Sequence, residues 1–407
     1  MENFDYGIIG GGPAGYTAAM LLAKQGHSVV LFEKDRLGGT CLNRGCIPTK
    51  SFLHSAELYQ KFKHSEDLGI TFNDMEFNFS KVIEKKDKAI EKIRKSLELA
   101  VKNSGVKTIY KEACIDGKLI KTNSETYNAK EIIVATGSKP REVRGLEFDG
   151  EFILSSDDIL NIKTLPKSVL IVGSGAIGTE WARILSNFDV EVSIVEMAEH
   201  LVPAADIEVS KRVERIFKQK KVKFYLNDCI AEIKNKTAVL RSGAEITPDF
   251  ILVAVGREAI CPVCNSSVIG DACGEIQLAH YAIHQAKALA LGIPFDKNLV
   301  PSVIYGEPEI AWAGIKEQDI DESYQIVKLP ITALGKAWCD DSTEGFIKLI
   351  VKDELIKGAH IVSKEASSLI HIILVAMQNN ISINKLKQVC FAHPTYAEGI
   401  SDLIMNI

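Results

Sequence analysis

The sequence predicts an α/β chain in which two parallel βαβ units are followed by a smaller α+β domain. Three observations predict it. A strand–glycine turn–helix–strand pattern occurs twice, and in each copy an acid falls 23 residues after the first glycine. Each copy closes with a continuous apolar strand ending at a glycine, IIVATG at Ile132–Gly137 and ILVAVG at Ile251–Gly256. From Val300 onward the texture changes to alternating strands and one apolar helix.

The first copy runs Tyr6–Ile9, the turn Gly10-Gly11-Gly12-Pro13-Ala14-Gly15, an apolar-periodic stretch Tyr16–Gln25, then Ser28–Phe32 and Glu33. The second runs Ser168–Val172, Gly173-Ser174-Gly175-Ala176-Ile177-Gly178, Thr179–Asn187, then Glu191–Val195 and Glu196. Short apolar strands joined through a glycine turn and a helix are the sequence form of a parallel βαβ unit. The glycine spacing has a physical meaning. The first glycine (Gly10, Gly173) permits the tight turn, the second (Gly12, Gly175) lets backbone approach a pyrophosphate, and the third (Gly15, Gly178) lets helix and strand pack closely. The helix start then offers free N–H groups and partial positive charge to phosphates. Glu33 and Glu196 end the second strands, where a carboxylate accepts hydrogen bonds from ribose hydroxyls. Both units therefore read as Rossmann-like dinucleotide sites. At the second, Glu196 would repel a 2′-phosphate and no arginine adjoins it, so NAD is favoured over NADP.

Between the units, Lys81–Lys102 has apolar residues at helical spacing and reads as an amphipathic helix with one solvated face. Short β-rich sequence follows at Lys107–Thr122. In the last part, strands are expected at Gly345–Val351 and His360–Val362 and a helix at Ala366–Gln378. The longest apolar run, Leu369–Met377, is far short of the ~20 residues a membrane span needs and suits a core or a subunit interface. The expected domains are 1–150, 151–257, a return segment 258–299, and 300–407.

Composition narrows the function. Of 407 residues, 46% are hydrophobic and 25% charged, as in a folded globular protein. The balance of 48 basic against 53 acidic residues supplies no positive field for nucleic acid or an anionic membrane, so neither is expected as a partner. The N-terminus lacks the basic and apolar regions of a signal peptide. Nine unevenly spaced cysteines do not form a secreted disulfide scaffold, and a cytoplasmic location is expected.

Two of those cysteines stand in Gly38-Gly39-Thr40-Cys41-Leu42-Asn43-Arg44-Gly45-Cys46-Ile47-Pro48-Thr49-Lys50. Residues five apart approach each other only where a helix start is distorted, and Gly45 and Pro48 suit that distortion. A close pair in a reducing compartment means a metal site, a redox disulfide or buried thiols. Directly after a dinucleotide turn, an electron-passing disulfide is the better account. Cys261-x-x-Cys264, with Cys273 and His280 beyond, also has zinc-like spacing.

GGTCLNRGCIPTK resembles the redox motif of the pyridine nucleotide–disulfide oxidoreductases, most closely their dihydrolipoamide dehydrogenase branch. Ala135-Thr136-Gly137, Gly178-Thr179-Glu180, Val268-Ile269-Gly270-Asp271, Leu278-Ala279-His280, Val300–Gly314 and Phe391-Ala392-His393-Pro394-Thr395-Tyr396-Ala397-Glu398 resemble further motifs of that family, in the same order. The resemblance implies two Rossmann-like domains and a C-terminal α+β dimerisation domain. It implies FAD on Gly10, Gly12, Gly15 and Gly39, with Thr40, Ala113, Thr136, Gly137 and Ala279 around it. Glu33 would meet the adenosine ribose and Asp271 the ribityl chain. NAD would lie on Gly173, Gly175, Gly178, Glu196 and Gly256. Lys50 would sit against the flavin, paired with Glu180. Cys46 would face the flavin, Cys41 would exchange with substrate, and His393 of the partner subunit would act as general base, held by Glu398. Because Asp271 and His280 fall in flavin-contacting segments, no metal is expected.

The activity so implied is reoxidation of dihydrolipoyl groups by NAD+ through a Cys41–Cys46 disulfide and FAD. A homodimer would serve the lipoyl-bearing acyltransferase of a 2-oxoacid dehydrogenase complex. The alternatives are a sister reductase acting on another disulfide or on mercuric ion, and a flavin-binding protein without turnover. A mercuric reductase would end in a cysteine pair, which EGISDLIMNI lacks. One departure stands out: only 14 residues separate Gly256 from Asp271, several dozen fewer than the family has. Edge elements of the first domain are expected to be lost there, weakening its hold on FAD.

Overall fold

The computed structural model describes residues 2–262 and 265–407. Cys264, and with it the Cys261-x-x-Cys264 pairing, lies outside the described residues.

The first sheet is built on Glu2–Ile9, with Val29–Phe32 and then Lys107–Ile109 parallel on one side and Thr126–Val134 parallel on the other. Ile8 is in register with Leu31 and Ile133, so these apolar strands fill both faces of the sheet. The antiparallel strands Leu119–Lys121 and Cys114–Asp116 extend the far edge. Helix α1 (Pro13–Lys24) follows the first glycine turn. Helices α2 (Gly39–Arg44), α3 (Cys46–Lys63) and α4 (Phe79–Asn103) follow; α4 is the expected amphipathic helix, capped by Asn78 on the Lys81 N–H.

The second sheet is parallel throughout, in the order Lys223–Tyr225, Glu191–Val195, Ser168–Val172, Phe250–Val253, Ile153–Leu154. Helices α5 (Ala176–Asn187) and α6 (Ile207–Gln219) flank it. The chain then returns by a shorter route than a full-length segment would take, yet it still pairs. Arg257–Ala259 runs antiparallel to Ser138–Pro140, and Ser267–Val268 adds to the first sheet beside Ile133–Val134. The expected loss of strand pairing is therefore corrected. Strands of two and three residues are too short to carry an alternation that sequence can reveal. Helix α7 (Ala279–Leu291) then packs Ala282, Ala286 and Ala290 against Ala14, Ala18 and Leu22 of α1.

The last part is one antiparallel sheet, Ser302–Ile304, Glu309–Gly314, Leu355–Ser363, Phe346–Lys352, Gln325–Pro330. It carries the short α8 (Gly335–Cys339), then α9 (Ala366–Gln378), α10 (Ile383–Leu386) and α11 (Glu398–Ile404). Leu369, Ile370 and Ile373 of α9 are buried on this sheet, while Ile372 and Val375 face outward.

The three parts share a core at α3. Phe52, Leu53 and Ala56 lie in one apolar cluster with Trp181, Ile184 and Leu185 of α5 and with Ile304 and Ile310 of the last sheet. The Phe52 and Trp181 rings are 5.7 Å apart. Burying a phenylalanine in this way contributes about 2 kcal/mol, so the helix that begins at Cys46 is anchored from three sides. Among the described residues no helix is long and apolar enough to cross a membrane.

Candidate redox active site

The two glycine turns have the same construction. Gly10 and Gly173 have φ of 107° and 95°, and a Cβ on either would strike the Ala135 or Ala254 carbonyl oxygen, at 2.2 and 2.7 Å. A Cβ on Gly15 would lie 1.8 Å from Gly10 O, and one on Gly178 2.0 Å from Gly173 O. Helices α1 and α5 start at Gly12 and Gly175 with no side-chain cap and no acid in the first turn. By contrast α6 is capped by Asp206 on the Glu208 N–H. The first N–H groups of α1 and α5 are thus left for an anionic ligand.

The acids brace their own turns. Glu33 accepts hydrogen bonds from the N–H groups of Gly11 and Asp35, both at 2.8 Å. Glu196 accepts from Ser174 N–H at 2.8 Å, Ser174 Oγ at 2.7 Å and Ala198 N–H at 2.9 Å. Each carboxylate has further lone pairs for a ribose hydroxyl. Gly39 and Thr40 begin α2 directly against the first turn, where a Cβ on Gly39 would come within 2.7 Å of Gly12 Cα. Thr136 and Gly137 follow the Thr126–Val134 strand, with Thr136 Oγ1 donating to the Ile260 carbonyl. Asp271 accepts from Ser138 Oγ at 2.6 Å, and Ala279 opens α7. Gly256 follows the Phe250–Val253 strand, its carbonyl held by Arg141 N–H. Ala113 packs on the cluster of Val30, Phe32 and Tyr127.

Gly45 (φ −147°, ψ −109°) breaks the chain between α2 and α3, and this break lets Cys41 and Cys46 meet across one turn. The two thiols are free and close enough to perturb each other's ionisation. The neighbouring Cys46 pushes the Cys41 thiol up, with burial adding to it. Cys41 in turn pulls the Cys46 thiol down to about 7, against burial and helped by the Lys50 ammonium. Cys46 is also the first residue of α3, where helix N–H groups favour a thiolate. Lys50 Nζ bridges both Glu180 oxygens at 2.9 and 2.8 Å, joining α3 to α5.

His393 Nδ1 lies 2.7 Å from Glu398 Oε1, with 78% of the His393 side chain exposed. The Thr395 N–H, at 2.8 Å, and then His393 hold the Glu398 carboxyl below its usual range, so it is ionised at neutral pH. An ionised partner on Nδ1 leaves Nε2 of the imidazole facing solvent as a proton acceptor. Among the described residues no hydrogen bond or ion pair joins His393 to Cys41 or Cys46 of the same chain.

Three features around the site escaped the sequence reading. Arg257 Nε donates to Ser138 Oγ at 2.8 Å and so supports the Ser138–Asp271 contact. Tyr305 lies under Lys50, and Arg183 grips Tyr305 from behind. Nothing in local spacing links these partners.

Two family models account for most of the chain. Residues 4–267 match the pyridine nucleotide-disulphide oxidoreductase model, and residues 300–404 match the dimerisation domain of the same family. The chain belongs to the pyridine nucleotide-disulphide oxidoreductases. Its similarity to dihydrolipoyl dehydrogenases runs nearly end to end. It is 31% identical to one from Bacillus subtilis, covering 98% of this chain and 97% of that one. It is 32% identical to one from Chlorobaculum parvum, with 98% and 96% covered. The Bacillus alignment spans 459 positions, more than this chain's 407 residues, so that oxidoreductase carries insertions absent here. In fold, LpdA from Mycobacterium tuberculosis matches with a TM-score of 0.92 at 23% identity, covering 100% of this chain and 99% of that one. The Cu(II) complex of the flavoprotein disulfide reductase RclA from Escherichia coli matches with a TM-score of 0.87 at 24% identity, covering both chains fully.

Proposed function

We propose that this oxidoreductase is an FAD- and NAD-dependent dihydrolipoyl dehydrogenase that works as a homodimer. The observation that carries the reading is the meeting of Cys41, Cys46 and the Lys50–Glu180 pair between two uncapped glycine turns. The first turn fits FAD: bare glycine walls, free α1 N–H groups and a braced Glu33 all match a pyrophosphate and a ribose. Asp271, Thr136 and Gly137 line the continuation of that cradle, and the second turn offers NAD the same donors.

FAD, when bound, supplies the two-electron relay between the cysteines and NAD+. The chain does the rest. The substrate thiol gives its proton to His393 Nε2, oriented by the ionised Glu398. The resulting thiolate attacks Cys41 of the disulfide, and the S–S bond breaks with its electron pair on Cys46. Cys46 is the better leaving sulfur, because its thiol is acidic and Lys50 stands beside it. The second substrate thiol then displaces Cys41, closing the substrate disulfide and leaving two reduced cysteines. Among the described residues no hydrogen bond joins His393 to the cysteines of its own chain, and the base is taken to act across the interface from a second copy. The outward Ile372 and Val375 of α9 provide apolar surface for that dimer. The substrate is a lipoyl group carried by the acyltransferase of a 2-oxoacid dehydrogenase complex, in the cytoplasm.

Purified protein should be yellow and should reduce NAD+ with dihydrolipoamide. Cys46→Ser should abolish turnover, and His393→Ala should lower it ~10²–10⁴-fold. Colourless protein that cannot be reconstituted with FAD overturns the reading.

A further inference from the structure

The loop after Ser302–Ile304 brings Tyr305 onto the Lys50–Glu180 pair, and three contacts fix it there. Lys50 Nζ lies 4.5 Å from the centre of the Tyr305 ring. The Tyr305 N–H donates to Glu180 Oε1 at 3.1 Å. The Tyr305 carbonyl accepts from Arg183 Nη1 at 3.3 Å, and the same nitrogen donates to the Pro308 carbonyl at 2.7 Å.

Arg183 is an unusual residue to bury. It lies one turn beyond Glu180 on α5 and is 2% exposed, and among the described residues its Nε and Nη2 have no hydrogen-bond partner. Burial brings its pKa down to about 10, which still leaves it charged at neutral pH, with the carboxylates of Glu180, Glu57 and Glu309 offsetting the cost. Its guanidinium fills the space where a side chain at residue 306 would be: a Cβ on Gly306 (φ +143°) would lie 2.3 Å from Nη1. A buried charge bonded to two carbonyls of one loop fixes that loop, and that loop presents Tyr305.

We propose that Tyr305 is a positioning residue of the redox centre, holding Lys50 by its ring and Glu180 by its N–H, and that Arg183 holds Tyr305 in that pose. This rests on the dehydrogenase reading and deepens it. Lysine has a flexible stem and a compact charge. An aromatic face under the ammonium restrains it while leaving its N–H groups directed at the Glu180 carboxylate, with its charge near Cys46. The groups facing Cys46 are Cys41 of α2, Lys50 of its own helix, Tyr16 of α1, Glu180 of α5 and Tyr305. Of these only Lys50 is cationic, so beside the larger effect of Cys41 its position sets how far charge favours the Cys46 thiolate.

The test is a pH titration of dithiol-reduced holoenzyme, following the long-wavelength absorption of a Cys46 thiolate against flavin. In the parent the thiolate is present above about pH 7 and is lost as the pH falls through that value. Tyr305→Leu should raise the midpoint by about one unit, as expected when a neighbouring cation drifts away. Tyr305→Phe, which keeps ring and N–H, should titrate like the parent. Arg183→Met leaves Tyr305, Lys50 and Glu180 unsubstituted but frees the loop that presents the ring; it should shift the midpoint in the same direction as Tyr305→Leu, and it carries the test if that variant does not fold. A Tyr305→Leu enzyme with the parent's midpoint overturns the proposal, as does a Tyr305→Phe enzyme that titrates like the leucine variant. A parent without the absorption band overturns the dehydrogenase reading itself, a different failure that is visible before any variant is made.

Discussion

The two glycine turns differ in what lies over them, although their backbones are built alike. The first is closed: α2 sits on it, and Gly39 is so near Gly12 that a single added methyl group would not fit. Its acid, Glu33, is 9% exposed. The second is open: a Cβ on Gly175 would meet nothing within 4 Å, and Met197, next to Glu196, is 74% exposed. A covered cradle retains its ligand, while an open one exchanges it. With FAD assigned to the first turn and NAD to the second, as proposed above, one motif would serve a resident cofactor and a diffusing co-substrate, and the covering segment, which also carries the cysteines, would make the difference.

The sharpest way to break this comparison is to collide both turns alike. Gly15→Val and Gly178→Val each drive a side chain into a backbone oxygen at about the same depth, so each should cost about 3 kcal/mol of stability, measured by urea unfolding. Their functional outcomes should diverge. The Gly15 variant should emerge without flavin, whereas the Gly178 variant should stay yellow and lose NAD+ reduction. If both lose flavin, the turns are not functionally separate.

Much of this was legible in the chain because it is local. Gly10 to Glu33 and Cys41 to Cys46 interact across a few turns of chain, so their spacing encodes their geometry. Even the His393–Glu398 contact spans only five residues. The supporting contacts are not of this kind. Arg257–Ser138, Tyr305–Glu180 and Ser138–Asp271 join residues 119 to 133 apart in sequence. They exist only because segments distant in sequence are brought together by the fold, and no periodicity marks them. The shortened return after Gly256 suggested missing strands, but pairing survives in Arg257–Ala259 and Ser267–Val268. Backbone hydrogen bonding requires no particular side chains, so such short pairings leave no pattern behind.

A gentler change probes the cover alone. Gly39→Ala places a methyl group between α2 and the first turn at a residue with φ of 56°. A left-handed alanine costs roughly 1–2 kcal/mol, and the contact with Gly12 would push α2 outward. FAD should then dissociate measurably faster on dilution, read by recovery of flavin fluorescence, while the KM for NAD+ stays unchanged. Equal disturbance of both would mean that the cover is not specific to the first turn.

The smallest effect is expected at the open turn. Gly175 has φ of −64°, which alanine adopts freely, and its added methyl group would touch no protein atom. Gly175→Ala should therefore fold and hold flavin as the parent does. Its methyl group would nevertheless occupy the space through which backbone approaches a pyrophosphate. The expected outcome is a KM for NAD+ raised about tenfold, equivalent to about 1.4 kcal/mol of binding, with kcat unaffected, because ground state and transition state lose the contact equally. A fall in kcat at constant KM would place the nucleotide elsewhere and leave the second turn without its assigned ligand.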